Sequence, residues 1–252
     1  MIYDSPIYKN NPNITPINKV DRNKPIHFIN YYNEARPYID YERSNDKQWK
    51  WNMNFTPTPG KLYFTDSEKN NAISILSDAK DNWNKNNNTK FKAIIFFEST
   101  STKIDDSFFY YKMKNKDWGE SNWKELISKL KDKYLIIQSK HEKSKKYEGV
   151  YYSSADFDFR TACAIMNNCD LFLGPEGGFS HAAAAIKKKA IVYFGGWIHP
   201  KVTGYDSHEN IYFDHSMSPC GAVGYVCSHC DEARQSITVD DLFSKVISIL
   251  NN

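Results

Sequence analysis

A glycine-containing turn carries the residues whose types and spacing best suit binding of a phosphorylated ligand. In the run LFLGPEGGFSHAAAA, an apolar strand leads through a turn into a helix of small residues. Gly177 and Gly178 would let backbone N–H groups approach a phosphate, and the helix N-terminus would favour its negative charge. Glu176, Ser180 and His181 flank these glycines and could contact the same ligand. Their ordinary structural roles, as a solvated carboxylate, a helix cap and a packing ring, are the competing interpretation.

A lysine and two hydroxyl side chains further upstream could contact the same phosphate. Lys116 begins the segment KDWGESNWKELI, and a flexible ammonium suits a diphosphate as a point charge. Ser101 and Thr102 follow the apolar run FKAIIFF, and hydroxyls after a strand can bond phosphate oxygens. Each of the three also fits an ordinary surface or loop position. We expect these three residues and the glycine turn to form one phosphate-binding site.

Four residues near the C-terminus have the types of a metal site. Cys220, Cys227, His229 and Cys230 form C-x6-C-x-H-C, and three thiolates with one imidazole could hold a structural zinc ion tetrahedrally. His229 lies between two cysteines, an awkward position for a fourth ligand, and His215 is the alternative. A packing role and a disulfide compete with the zinc interpretation.

Alternating strands and helices must position these residues. Thr65 and Glu68 form a capping box, and the apolar residues after them recur at helical spacing. The apolar runs FKAIIFF, YLIIQ, LFL and AIVYF predict buried parallel strands separated by helices. This alternation predicts an α/β fold, a Rossmann-like domain of three layers with both sheet faces covered. Ligands of such sheets bind at the carboxyl ends of the strands, so Tyr205, in the loop after AIVYF, would line the same pocket.

A composition change divides the chain. The segment 1–59 is polar, rich in Pro and Asn and without sustained periodicity, apart from a short strand predicted at His27–Ile29. The run TPTPG, which ends at Gly60, is a strong breaker of regular structure. We therefore expect an irregular N-terminal extension over 1–59 and the Rossmann-like domain over 60–252.

Charge and composition exclude several classes of protein. The net charge of +3 is too small to indicate a nucleic-acid partner. No apolar stretch approaches the roughly 20 residues that cross a bilayer, and the N-terminus lacks the pattern of a signal peptide. Five cysteines, an odd number in a long chain, indicate a reducing cytoplasm. We expect a cytoplasmic protein, with peripheral attachment at the membrane face as an alternative.

The run GPEGGFSHAAAAIKKKAIVYFGG resembles the corresponding segment of glycosyltransferase family nine, the ADP-heptose:lipopolysaccharide heptosyltransferases. That family carries an acidic residue, a small residue, Gly, an apolar residue, Ser or Thr, and His, followed by a small-residue helix and a strand ending in Gly. Residues 176–181 match these positions in order. Glu176 stands where the family normally has Asp, and Gly177 where it often has Thr or Ser. The segment from Lys116 also resembles the family's K-x-W…W-x-x-L motif.

The resemblance spans about residues 60–252 and implies the C-terminal, donor-binding half of a GT-B glycosyltransferase. It implies an inverting transfer of a hexosyl or heptosyl group from a nucleotide-diphosphate sugar, with an ADP-sugar favoured, to a glycan or lipopolysaccharide acceptor. It implies no required cofactor. Lys116 would meet the donor diphosphate, and Glu176 would contact the sugar.

The family's acceptor domain and acidic general base are not found in 1–60, so the catalytic residues stay unassigned, with Glu176 and His181 as weak candidates. A fragment, a partner subunit that binds the acceptor, and lost catalysis are the explanations left open. Two alternative functions follow: a non-catalytic module that binds a nucleotide or glycan, and an enzyme resembling nucleotide-sugar epimerases.

Overall fold

The computed structural model describes residues 6–25, 36–100, 114–139, 145–154 and 157–251. The strand predicted at His27–Ile29 and the candidate ligand residues Ser101 and Thr102 lie outside these ranges. Within them, no helix is long and apolar enough to span a membrane.

The described chain forms one six-stranded sheet and one small hairpin. The order of the large sheet is β5-β4-β3-β6-β7-β8, and every neighbouring pair in it is parallel. β1 and β2 pair antiparallel in the N-terminal segment. The strands are β1 Ile39–Asp40, β2 Lys50–Trp51, β3 Ile94–Phe97, β4 Leu135–Gln138, β5 Val150–Tyr151, β6 Leu171–Pro175, β7 Ala190–Gly195 and β8 Glu209–Tyr212.

Helices cover both faces of the sheet, which confirms the predicted three-layer α/β fold. On β3, Ile94 and Phe96 pack into one apolar cluster with α1 and α3, whereas Ile95 and Phe97 pack into a second with α2 and α7. This alternation follows from the two-residue period of a strand. The helices are α1 Asp66–Asn86, α2 Glu120–Leu130, α3 Phe159–Asn167, α4 Gly178–Ala185, α5 Pro200–Thr203, α6 Ser228–Ser236 and α7 Val239–Asn251.

The two central strands approach each other closely at their carboxyl ends because one residue there lacks a side chain. A Cβ on Gly174 would lie 2.7 Å from the carbonyl oxygen of Glu98 and 2.9 Å from the ring of Phe172. Glycine therefore lets the end of β6 lie against the end of β3. The strand predicted from the run LFL is present and continues to Pro175.

The N-terminal segment packs against the large sheet and its loops. Ile39 and Trp51 are buried in the same apolar cluster as α1 and α3, and Gln48 bridges to Ala222. Gly221 has a φ of +61°, and a Cβ there would collide with the backbone of Trp49. The segment up to Gly60 thus has few regular elements but many contacts, and the domain boundary placed before Gly60 stays a prediction.

A buried ion pair joins α1 to α3. The predicted capping box is present: the Thr65 hydroxyl accepts from the Glu68 amide at 3.3 Å, and Glu68 accepts from the Thr65 amide at 2.8 Å. The same carboxylate accepts two hydrogen bonds from Arg160, at 2.7 and 3.0 Å. Arg160 also donates to the carbonyl groups of Ile7 and Tyr63. This guanidinium therefore joins two helices to Ile7 of the N-terminal segment and to Tyr63, which lies shortly before α1.

Removal of Arg160 should change the acid stability of the protein. Hydrogen bonds from Arg160, with smaller contributions from Thr65, lower the pKa of Glu68 from 4.5 to about 2. Since the folded pKa is the lower one, this contribution to stability is present above pH 4.5 and is lost as the pH falls towards 2. We expect it to be about 3 kcal/mol. In Arg160→Met the free energy of unfolding at pH 7 should fall by about 3 kcal/mol, because an unpaired carboxylate stays buried, and its decline between pH 5 and pH 2 should be shallower.

Urea unfolding across this pH range measures both effects. Lys69→Met is the matched control, because Lys69 pairs with Asp66 on the exposed side of the same helix, and it should cost less than about 1 kcal/mol. Equal losses in the two variants would contradict the assignment.

Candidate functional site

The predicted site residues that the structure describes meet at the carboxyl edge of the sheet. Lys116 and Glu176 are 60 positions apart in the sequence, and their side chains form an ion pair. The two side chains are only 9 and 7 % exposed. Glu176 directly follows β6, so its position is set by the strand. Burying two charges costs several kcal/mol per ion unless they stay paired, so each holds the other in place.

An aromatic ring covers the lysine of this pair. The Lys116 ammonium lies 5.3 Å from the centre of the Trp197 ring, a distance at which cation–π attraction operates. Trp197 follows the end of β7 and is buried. This tryptophan was not predicted from the sequence, although the run FGGW at the end of a predicted strand was a usable signal.

His181 lies beside the other carboxylate oxygen of Glu176. Its Nε2 is 3.7 Å from a Glu176 oxygen, and its Nδ1 is 2.9 Å from the Tyr205 hydroxyl. Partial burial lowers the pKa of His181, the Lys116 charge lowers it further, and the Glu176 charge opposes both. The ring is therefore neutral at pH 7. Tyr205 thus lies beside the helix that follows the glycine turn, and its place in a ligand pocket stays a prediction.

The glycine turn is shaped by Ser180. The Ser180 hydroxyl donates to the carbonyl of Gly177 at 2.8 Å and accepts from the Gly177 amide at 3.1 Å. The amides of Gly178 and Phe179 begin α4, where a helix has no internal acceptors, and no acceptor in the described ranges bonds to them. The competing interpretation of Ser180 as a cap describes its observed bonds, and direct contact of its hydroxyl with a ligand stays a prediction.

A loop after β8 holds two residues that lie beside Lys116: Asn115, its neighbour in sequence, and Trp197, whose ring covers it. Asn115 accepts from the Cys227 amide at 2.9 Å and donates to the carbonyl of Tyr225 at 2.9 Å. The Trp197 indole donates to the carbonyl of Ala222 at 2.7 Å. Asn115 was missed from the sequence, because a buried asparagine beside a charged residue has no local signature.

The structure assembles three of the four predicted zinc ligands. The sulfur atoms of Cys220, Cys227 and Cys230 all lie within 4.8 Å of one another, and all three residues are buried. His229 does not belong to this group, because neither of its ring nitrogens lies within that distance of the sulfurs; its Nε2 bonds to the Ser218 hydroxyl at 2.8 Å. The alternative, His215, stacks on Phe213.

The two charges beside His181 should move its pKa in opposite directions. In Glu176→Gln the pKa of His181 should fall, because the stabilising carboxylate is lost; in Lys116→Met it should rise, because a repelling charge is lost. Titration of the imidazole by NMR measures both. Asp240→Asn, which breaks an exposed pair with Lys129 on another helix, should leave the pKa unchanged. Shifts of the same sign in the two site variants would contradict this geometry.

Solved structures of glycosyltransferases are similar to this chain. "E. coli ADP-heptose lps heptosyltransferase II" is 16% identical, with a TM-score of 0.49, and the match covers 75% of this chain and 53% of that one. A family 9 glycosyltransferase from Veillonella parvula is 12% identical, with a TM-score of 0.48, and covers 77% and 55%. The iron-containing dodecameric glycosyltransferase TibC from enterotoxigenic E. coli is 15% identical, with a TM-score of 0.46, and covers 65% and 46%. The chain thus spans about half the length of these proteins.

No curated protein matches the chain. The profile of glycosyltransferase family 9 (heptosyltransferase) matches residues 76–223, a range that includes β3 to β8, Lys116 and the whole glycine turn. More than half of the chain is matched, and the predicted resemblance is confirmed. The chain belongs to glycosyltransferase family 9, the heptosyltransferase family.

Proposed function

We propose that the carboxyl edge of this sheet binds the diphosphate of a nucleotide-diphosphate sugar, as the donor half of a glycosyltransferase. The observation that carries the proposal is the buried Lys116–Glu176 pair beside the open first turn of α4. A cation, two amides without acceptors in the described ranges and a helix N-terminus converge there, and all three favour an anion.

Lys116 would exchange its carboxylate partner for the donor. When a diphosphate enters, its oxygens replace Glu176 on the ammonium and accept from the amides of Gly178 and Phe179. The Glu176 carboxylate, no longer bonded to Lys116, would then accept hydrogen bonds from sugar hydroxyls. His181, neutral and held by Tyr205, would orient the donor. In the remaining candidate set, Ser180 and Gly177 shape the turn, and Ser101 and Thr102 stay proposed phosphate contacts.

The chemistry we propose is an inverting transfer. An acceptor hydroxyl attacks the anomeric carbon, its proton passes to a general base, and the bond from that carbon to the diphosphate oxygen breaks. Charge then develops on the leaving diphosphate, where Lys116 and the α4 amides would stabilise it. Fixed donors of this kind usually supply the largest part of the catalysis, so the proposal requires no metal cofactor at the donor site. We assign no general base, and Glu176 and His181 stay weak candidates.

Donor and acceptor are proposed from the family. Membership favours an ADP-sugar with a hexosyl or heptosyl group, and a glycan or lipopolysaccharide acceptor. The chain spans about half the length of the similar structures. We therefore propose that residues outside the described domain supply the acceptor site, and a separate acceptor-binding subunit is one way to supply it. A cytoplasmic location, with peripheral contact at the membrane face, is part of the same proposal. Analysis of sugar products would distinguish transfer from an epimerase reaction and from a non-catalytic binding module.

Nucleotide titration tests the donor site. In calorimetry with ADP, UDP and GDP, the protein should bind one of them saturably, with ADP expected. Lys116→Ala should weaken binding about tenfold to a hundredfold, because a charge-assisted interaction contributes roughly 1.5–3 kcal/mol. Lys124→Ala, an exposed lysine on α2, is the matched control and should bind like the wild type.

Part of the loss in Lys116→Ala would come from Glu176, whose charge Lys116 then no longer offsets and which repels phosphate. The double variant Lys116→Ala/Glu176→Gln separates this repulsion from the lost attraction and should recover part of the affinity. Failure of the wild-type protein to bind any of the three nucleotides would overturn the proposed function.

The amide of Gly178 can be tested without changing any side-chain charge. Gly178 is the first residue of α4, a position at which proline is well tolerated but has no N–H to donate. Gly178→Pro should weaken nucleotide binding about tenfold. Gly178→Ala keeps the amide, and a Cβ there would make only ordinary contact with the Phe159 ring, at 3.6 Å, so its affinity should be close to that of the wild type. Equal affinities for the two variants would exclude this amide from the phosphate site.

A further inference from the structure

Three buried thiols that come from two separate pieces of backbone converge outside the proposed donor site. Cys220 lies in the loop after β8, Cys227 immediately precedes α6, and Cys230 lies in the first turn of α6. The sulfur atoms of Cys220 and Cys230 are 3.1 Å apart, and all three sulfurs lie within 4.8 Å of one another. Thiolates bound to one tetrahedral ion at about 2.3 Å are roughly 3.8 Å apart, so the observed spacing brackets that of a metal site.

We propose that Cys220, Cys227 and Cys230 together bind one thiophilic divalent cation, Zn²⁺ or Fe²⁺, as a structural ion. Soft thiolate ligands select such ions over Mg²⁺ or Ca²⁺. On binding, each of the three thiols releases its proton to solvent. No further His, Cys, Asp or Glu of the described ranges joins the group. The fourth coordination position is therefore filled by a ligand other than these side chains.

The ion would fasten the loop that holds the neighbours of Lys116. The amide of Cys220 donates to the carbonyl of Gly196 at 3.0 Å, and that of Gly221 to the carbonyl of Trp197 at 3.1 Å. The Cys227 amide donates to Asn115, the residue next to Lys116. Joining the loop to α6 through a metal would therefore fix both Asn115 and Trp197. This second part of the inference, that the ion helps to position Lys116, rests on the proposed function.

The chain provides its own control. Cys163 and Cys169 are buried free thiols outside the cluster, so the five cysteines divide into three proposed ligands and two residues with no proposed role. We expect protein purified under reducing conditions with added Zn²⁺ to retain about one ion per chain by mass spectrometry of the metal, and Co²⁺ to give sulfur-to-metal charge-transfer absorption. Cys227→Ser should retain less than about a fifth of that metal, and Cys163→Ala should retain all of it.

A measurement on the wild-type protein guards against a variant that does not fold. Removal of the ion with a chelator should lower the melting temperature, and Zn²⁺ should restore it. Two results would overturn the proposal. One is a disulfide between Cys220 and Cys230 in the protein as purified, seen as two missing thiols and a mass lower by two hydrogens. The other is a full count of five free thiols with no uptake of Zn²⁺, Fe²⁺ or Co²⁺.

The positioning role has a separate readout. The chelated protein should bind ADP about tenfold more weakly than the Zn²⁺-loaded protein if the ion positions Lys116. Equal affinities would refute the positioning role while the metal site stands. If the loaded protein binds about one ion but no nucleotide, the proposed function fails and the metal site is still supported.

Discussion

A buried pair of opposite charges, Lys116 and Glu176, is the constraint around which the carboxyl edge of this sheet is built. Each ion on its own would cost several kcal/mol in this environment, so the fold has to bring two distant segments together with little freedom. β6 fixes the carboxylate from one side, and Asn115 and Trp197 fix the lysine from the other. The glycine turn then begins its helix directly after Glu176, which puts the amides of α4 beside the pair. The need to keep this pair together thus sets the positions of β6, the segment of Lys116, the residues after β7 and the start of α4.

The same rule operates at a second buried ion pair, outside the candidate site. Glu68 caps α1 and also accepts from Arg160, whose remaining hydrogens reach the N-terminal segment. α3, which carries Arg160, also presents Phe159 to the Phe179 ring of α4, with 4.9 Å between ring centres. The position of α4 therefore depends in part on the guanidinium of Arg160, which contacts no proposed ligand.

Local patterns predicted much of this fold, and contacts between distant residues explain what was missed. The capping box at Thr65, the apolar runs of β3, β4, β6 and β7, and the glycine turn are properties of short windows of sequence. β5 is only two residues long and β8 is partly exposed, so neither gives a continuous apolar run. The pairing of Lys116 with Glu176 and the bonds of Asn115 join residues 60 or more positions apart. The spacing of the cysteines predicted the three sulfur ligands, whereas the structure shows that His229 lies outside their group.

The aromatic packing at Trp197 gives the ion pair a closed side and an open side. Trp51 donates its indole hydrogen to the Trp197 carbonyl at 3.2 Å, and the two rings are 5.0 Å apart at nearly right angles. Trp49 packs against Trp197 as well. The N-terminal hairpin thereby shields that flank from solvent. His181 on the other flank keeps 43 % of its side chain exposed. Among the described residues, the exposed flank of the ion pair is therefore the one that carries the imidazole, and the Glu176 carboxylate lies between that ring and Lys116.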